Sequence, residues 1–222
     1  NLDVFARMLR ESRFDYDDPM TGLEIELNLV DENSEPALRN AEVLAEIANP
    51  DFQTELGQFN LEINAAPKTL HERGLEKFEE TLRASLNDAE EKASRLGAHL
   101  VMIGILPTLG EGHMSPSTIS SNPRYKLLGD AILAARGEDL QIDIGGEERL
   151  TTTSDSIIPE AACTSTQFHV QVSPDQFPDY WNASQVICSV QMALGANSPY
   201  LLGKELWRET RIPLFEQATD TR

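Results

Sequence analysis

Leu2, Phe5, Met8 and Leu9 recur at helical spacing, so the chain opens on a helix that the polar run from Ser12 to Met20 ends. From Gly22 to Val30 the period drops to two. Leu23, Ile25, Leu27 and Leu29 alternate with Glu24, Glu26 and Asn28, which predicts a strand with one apolar face and one face carrying both glutamates. Residues 40 to 49 read as a short helix with Asn40 at its N-cap. A second alternating segment, Phe59 to Ala65, sets Phe59, Leu61 and Ile63 against Asn60, Glu62 and Asn64, and Pro67 is expected to close it. Leu75, Phe78, Leu82, Leu86, Ala89, Ala93 and Leu96, three and four residues apart, predict a long helix from about Glu72 to Leu96, stopped by Gly97.

His99 to Leu106 is an almost unbroken apolar run, the pattern of a strand buried on both faces. Gly, Pro and Ser make 107–121 a loop, after which Asn122 and Pro123 supply the cap and first turn of a helix reaching about Arg136. Residues 137 to 160 are polar and favour no element. Thr166 to Ser173 alternates again, with Phe168, Val170 and Val172 on one face and Gln167, His169 and Gln171 on the other. A helix from about Phe177 to Leu194, ended by Gly195 and Pro199, and a helical stretch over Gly203 to Thr210 complete the chain. Strands separated by long helices, three of them two-faced, predict an α+β fold. Its sheet is largely antiparallel, with helices on one face and a concave, polar face opposite.

Size and charge narrow the functional classes. The 222 residues, 40% hydrophobic, suffice for one sizeable core, read as a single domain over 1–222. Eighteen basic residues against 37 acidic ones give a net charge of -19, which repels phosphate backbones and anionic membranes and argues against nucleic-acid or membrane partners. An anionic substrate entering so acidic a chain needs divalent cations or local arginines. No apolar run approaches the ~18 residues of a membrane helix and no signal-like segment opens the chain, so a cytoplasmic protein is expected. Cys163 and Cys188 form no CxxC pair and read as reduced, buried thiols. The start at Asn1 and the stop at Arg222 after a charged segment suggest a piece of a longer protein.

The candidate chemistry sits on the polar strand faces. Glu24 and Glu26, two apart on one strand, present carboxylates roughly 6.6 Å apart along it, which suits neighbouring metal ions. Taken alone, such a pair is more often a solvated strand face. Glu62 strengthens the metal reading, because its neighbours are Asn60 and Asn64 and no lysine offsets its charge. Mg²⁺ and Mn²⁺ favour such oxygen ligands. Glu55, seven residues earlier, fits a metal ligand through water or a simple turn residue equally well. His169, at the centre of a strand, reads as a metal ligand, a donor to a nucleotide phosphate or a structural histidine. Arg208 and Arg211 lie one turn apart, able to face a phosphate or carboxylate; for Arg208 an ion pair with Glu205 or Glu209 competes. No GxxxxGK[ST], GxSxG or HExxH motif occurs.

In order, the segments GLEIELNLVD, TELGQFNLEINAAP, TSTQFHVQVSP and ALGANSPYLLGKELWRETR resemble successive motifs of the glutamate-cysteine ligase family, particularly its bacterial carboxylate-amine ligase branch. The resemblance covers about Gly22 to Arg211. It implies the glutamine synthetase and guanidino kinase superfamily fold, of which this chain is the N-terminal part. It further implies Glu24, Glu26 and Glu62 as ligands of Mg²⁺ or Mn²⁺ around ATP, Glu55 as a matching acidic position, and His169 near the nucleotide. More loosely, Arg211 or Arg208 corresponds to a phosphate-binding arginine. The implied reaction activates a carboxylate, glutamate's in the leading case, as an acyl phosphate that an amino-acid amine attacks; ATP and amino acids are the implied partners. Gln167 and Gln171 stand where related ligases often carry other polar or small residues, which leaves the amine open. A non-catalytic member that binds a ligand or pairs with a subunit, and a metal-dependent hydrolase using the same carboxylates, remain alternatives.

Overall fold

In the computed structural model, which describes residues 1–14, 19–69 and 71–220, the alternation of Leu23, Ile25, Leu27 and Leu29 becomes the central strand β1, Thr21–Val30. Both of its edges are matched. Strand β3 (Asn60–Lys68) pairs antiparallel with it from Asn28↔Asn60 to Thr21↔Lys68. The other edge is shared: β4 (His99–Val101) takes Asn28 to Val30, and β7 (Thr166–Val170) takes Thr21 to Ile25. Outside β3 runs the short β2 (Phe52–Thr54), completing a five-stranded antiparallel sheet.

On one face of this sheet, Leu23, Ile25, Leu27, Leu29, Leu61 and Ile63 pack against helices α2 (Asn40–Ile47) and α3 (Gly74–Ser94) through Val43, Ile47, Phe78, Ala89 and Ala93. Each large side chain so buried contributes about 1.5–3 kcal/mol. Slipping β1 by one residue would put Glu24 and Glu26 under the helices instead, so the apolar alternation fixes which face remains polar. Helix α1 (Leu2–Arg10) ends before the polar run, as its spacing predicts, and buries no residue. Part of that run, residues 15–18, lies outside the described residues.

A second core gathers around a hairpin that polar composition conceals. Strands β5 (Leu140–Gly145) and β6 (Arg149–Ser154) bury Leu140, Ile142, Ile144 and Leu150. Ile105, Leu106, Ile157 and Ile158 join them, with Tyr125 of α4 (Pro123–Arg136) and Leu214 of α6 (Arg211–Thr219). The α4 cap is as expected: Asn122 Oδ1 accepts from Arg124 N. Helix α5 (Phe177–Gly195) buries no residue, and Phe177, Trp181, Val186, Val190 and Leu194 are each more than half exposed. A two-residue hairpin, β8 (Tyr200–Leu201) and β9 (Lys204–Glu205), leads to α6. No helix among the described residues is long and apolar enough to cross a membrane.

Several expectations need correction. Asn40 is the first helical residue of α2, not its cap; its buried Nδ2 lies within hydrogen-bond reach of Gly57 O, Asn60 O and Ser120 Oγ, inside the loop the helix packs on. Pro67 does not close β3, which continues to Lys68, because the ladder is irregular between Thr21 and Leu23 and no proline N–H is required there. The apolar run from His99 forms only three strand residues, half-buried rather than enclosed, and then bends so that Ile105 and Leu106 enter the second core. The stretch 203–210 is not helical: Gly203 takes φ +74 in the β8–β9 turn, and the helix begins at Arg211. Cys188 is exposed on α5, and Cys163 is only half-buried.

Candidate functional site

Cross-strand partners share a face, so the sheet surface opposite α2 and α3 carries two polar rows. In one, Gln53 of β2, Glu62 of β3 and Glu26 of β1 stand opposite one another; in the next, Asn64, Glu24 and Gln167 do. These rows line a cavity of about 1330 Å³ that also takes residues from the start of α4, the 3-10 turn Ile158–Ala162, α5 and α6. Seven glutamates line it against two arginines, Arg124 and Arg211, so its charge is strongly negative.

Each carboxylate on the sheet is held from the side. Glu62 is buried, and its Oε1 accepts from both Gln53 Nε2 at 2.6 Å and Asn64 Nδ2 at 2.5 Å. Glu26 is bound through both oxygens: Oε2 by Ser165 N at 2.8 Å, Oε1 by Ser165 Oγ at 3.1 Å and Gln167 Nε2 at 3.2 Å. Glu24 Oε1 lies 3.1 Å from His169 Nε2. Glu55 follows β2 on a loop fixed by Ser120, whose Oγ donates to Glu55 O.

Crowding shows in the protonation equilibria. Burial pushes Glu26, Glu55 and Glu160 each up to about 7, and their neighbours add to it. Glu62 and Glu160 act on Glu26, Glu26 and Glu62 on Glu55, and Glu55 on Glu160, while Ser165 opposes the shift at Glu26. Burial likewise raises the Tyr125 hydroxyl to about 12; it donates to Thr54 O. Positive charge in the cavity would favour ionisation of all three, and an all-oxygen donor set suits hard divalent cations. No group of three or more His, Cys, Asp or Glu among the described residues is arranged to hold one ion. A cation here would take one or two carboxylates and complete its shell with water or phosphate, the habit of Mg²⁺.

The fold thus brings Glu24, Glu26, Glu55, Glu62 and Arg211 into one cavity. His169 is not in its lining but reaches it through Glu24; Arg208 is exposed and does not line it. The Arg211 guanidinium is already engaged. Nε and Nη2 donate to Glu209, Nη1 to Thr164 O at 2.8 Å and Nη2 also to Gly195 O at 3.2 Å, joining α6 to the end of α5 and the approach to β7. That pairing raises Arg211, and although burial works the other way, it holds Glu209 below the usual carboxylate range. The Cys163 thiol is pushed up by burial, so it is a poor nucleophile.

Glu160 and Gln53 escape a reading of the sequence. Glu160 lies in the unassigned stretch, though a lone acid inside the apolar IIPEAA is the signal that marks it. Gln53 sits on a strand of three residues, too short for alternation to register.

A model of glutamate-cysteine ligase family 2 (GCS2) matches residues 20–222. The chain belongs to this family. Its members are ATP-dependent carboxylate-amine ligases. No curated protein matches the chain. Among solved structures, it is similar to the glutamate–cysteine ligase of Francisella tularensis in complex with AMP. The TM-score is 0.48 and the identity 12%, over 78% of this chain and 30% of that one. It is also similar to a bifunctional glutathione synthetase from Pasteurella multocida, with a TM-score of 0.40 and 14% identity over 75% of this chain and 18% of that one. This chain therefore spans less than a third of either structure's chain.

Proposed function

We propose that this chain supplies the metal- and nucleotide-binding sheet face of an ATP-dependent carboxylate-amine ligase of glutamate-cysteine ligase type, acting in the cytoplasm. The full enzyme phosphorylates a carboxylate, glutamate's in the leading case, and an amino-acid amine attacks the acyl phosphate to form an amide. One observation carries this reading: Glu24, Glu26, Glu55 and Glu62 converge on a single cavity, where burial and neighbouring carboxylates both oppose ionisation of Glu26 and Glu55, an opposition that a bound cation would offset. The sheet would be part of a larger antiparallel sheet of the glutamine synthetase and guanidino kinase type.

Mg²⁺ or Mn²⁺ held here would supply charge neutralisation for phosphoryl transfer. Glu62, Glu24 and Glu26 would hold the ions, with Glu55 lining the same cavity. His169, with Nε2 beside the Glu24 carboxylate, would orient that ligand. Of the two arginines expected at the phosphate, Arg208 lies outside the cavity, whereas Arg211 serves the nucleotide by fixing the cavity wall. The test is ADP release by the full-length protein given ATP, Mg²⁺, glutamate and a panel of amino acids, with hydroxylamine trapping the acyl phosphate. Turnover with trapped hydroxamate supports the ligase; no ADP release across the panel overturns it. Metal-dependent ATP binding without turnover would point to a non-catalytic member.

A further inference from the structure

The two oxygens of Glu62 are treated differently. Oε1 takes both amide donors, one from Gln53 across the strand pair and one from Asn64 two residues along its own strand. Oε2 accepts no hydrogen bond among the described residues, and Glu62 is a lining residue of the cavity. Two short bonds to one oxygen, from the neighbouring strand and from along its own, restrict the carboxylate's rotation, because turning it would strip Oε1 of both donors while the side chain stays buried. An oxygen oriented this way binds as a single, fixed ligand. Glu26, by contrast, has hydrogen bonds on both oxygens.

From this asymmetry we infer that Gln53 is a positioning residue for cation binding, holding Glu62 so that Oε2 alone faces the cavity as a one-oxygen ligand. The inference rests on the metal reading proposed above and adds a residue from β2 to it. Gln53 is exposed and touches Glu62 through its amide, so it contributes little to the core. Partners that orient a ligating carboxylate typically change metal affinity by about 10- to 100-fold when removed.

The test is Mn²⁺ titration of the full-length protein, followed by the electron paramagnetic resonance signal of the free ion. Gln53→Met keeps the side chain's length and removes its donor; it is expected to weaken Mn²⁺ binding about tenfold while the circular dichroism spectrum is retained. Glu62→Gln is expected to weaken that binding by more than about tenfold while leaving it measurable, and adding Gln53→Met to it is expected to change nothing more, because Gln53 acts only through Glu62. Asn64→Ala removes the other donor to the same oxygen and gives the same pattern should Gln53→Met fail to fold. Wild-type Mn²⁺ affinity in Gln53→Met, or a further loss on the Glu62→Gln background, overturns the inference and leaves the proposed function standing. Absent Mn²⁺ binding in the wild type, or unchanged binding in Glu62→Gln, overturns the metal reading itself.

Discussion

His169 Nε2 and Glu24 Oε1 are 3.1 Å apart because β7 sets His169 opposite Gly22, leaving its imidazole room to reach the carboxylate two residues along β1. The ring is about half exposed, and an exposed pair of this kind contributes only about 0–1 kcal/mol to folding. His169→Ala is therefore expected to leave the melting temperature little changed and to lower ATP turnover by roughly 10- to 100-fold. Steady-state rates together with a thermal melt check both halves; a large drop in melting temperature with full activity would contradict the functional role.

The protonation of Glu26, Glu55 and Glu160 predicts a pH dependence of stability. In the folded chain each binds its proton more tightly than in the unfolded chain, so between about pH 4.5 and 7 the folded state holds more protons. Stability then falls as pH rises through that window. Urea unfolding of metal-free protein from pH 5 to 8 is expected to show the decline, and Glu26→Gln to flatten it. Saturating Mg²⁺ should also flatten it, since a cation replaces the protons.

Arg211 and Glu209 predict a structural effect. Their side chains are only 22% and 12% exposed, and removing one member strands the other in poor solvent. Arg211→Ala is expected to cost about 3 kcal/mol in urea unfolding. Gly104→Ala should act at the same place, because a Cβ there would meet Arg211 Cζ at 2.8 Å and Asn197 Oδ1 at 2.4 Å. Neutral effects from both would show that the clasp is slack.

Asn40 ties α2 to the loop that carries Glu55. Its Nδ2 lies within hydrogen-bond reach of Gly57 O, Asn60 O and Ser120 Oγ, and Ser120 in turn holds Glu55 O. Asn40→Ala leaves buried acceptors unsatisfied and is expected to destabilise the chain by about 1–3 kcal/mol. Faster amide exchange at residues 55–57 in that variant would confirm that the loop has loosened.

How much of this was legible in the sequence depended on length and neighbours. β1 alternates from Leu23 to Leu29 and the segment entering β3 from Phe59 to Ala65, and both border the main core, so their faces, and with them Glu24, Glu26 and Glu62, could be read directly. The β5–β6 hairpin carries the same signal over a shorter span, Leu140, Ile142 and Ile144 alternating with Gln141, Asp143 and Gly145 before a Gly-Gly turn, but the polar residues on either side dilute it. The helix expected over 203–210 does not form because Leu201 and Leu206 enter the second core from either side of the β8–β9 turn, so the turn and not a helical face sets their burial. Arg211 was found by resemblance, but its commitment to Glu209 is a tertiary fact that no spacing reveals.

The apolar helix α5 has one more consequence. The chain holds two tryptophans, and one of them, Trp181, stacks on Phe177 at 6.1 Å along that exposed surface while Cys188, Gln191 and Met192 of the same helix border the cavity. Trp207 is also half exposed. Trp181 is thus about half in water on α5, and a blue shift of its emission on adding nucleotide, or on covering α5, would be readable without any label: the molecule carries its own optical gauge of that helix.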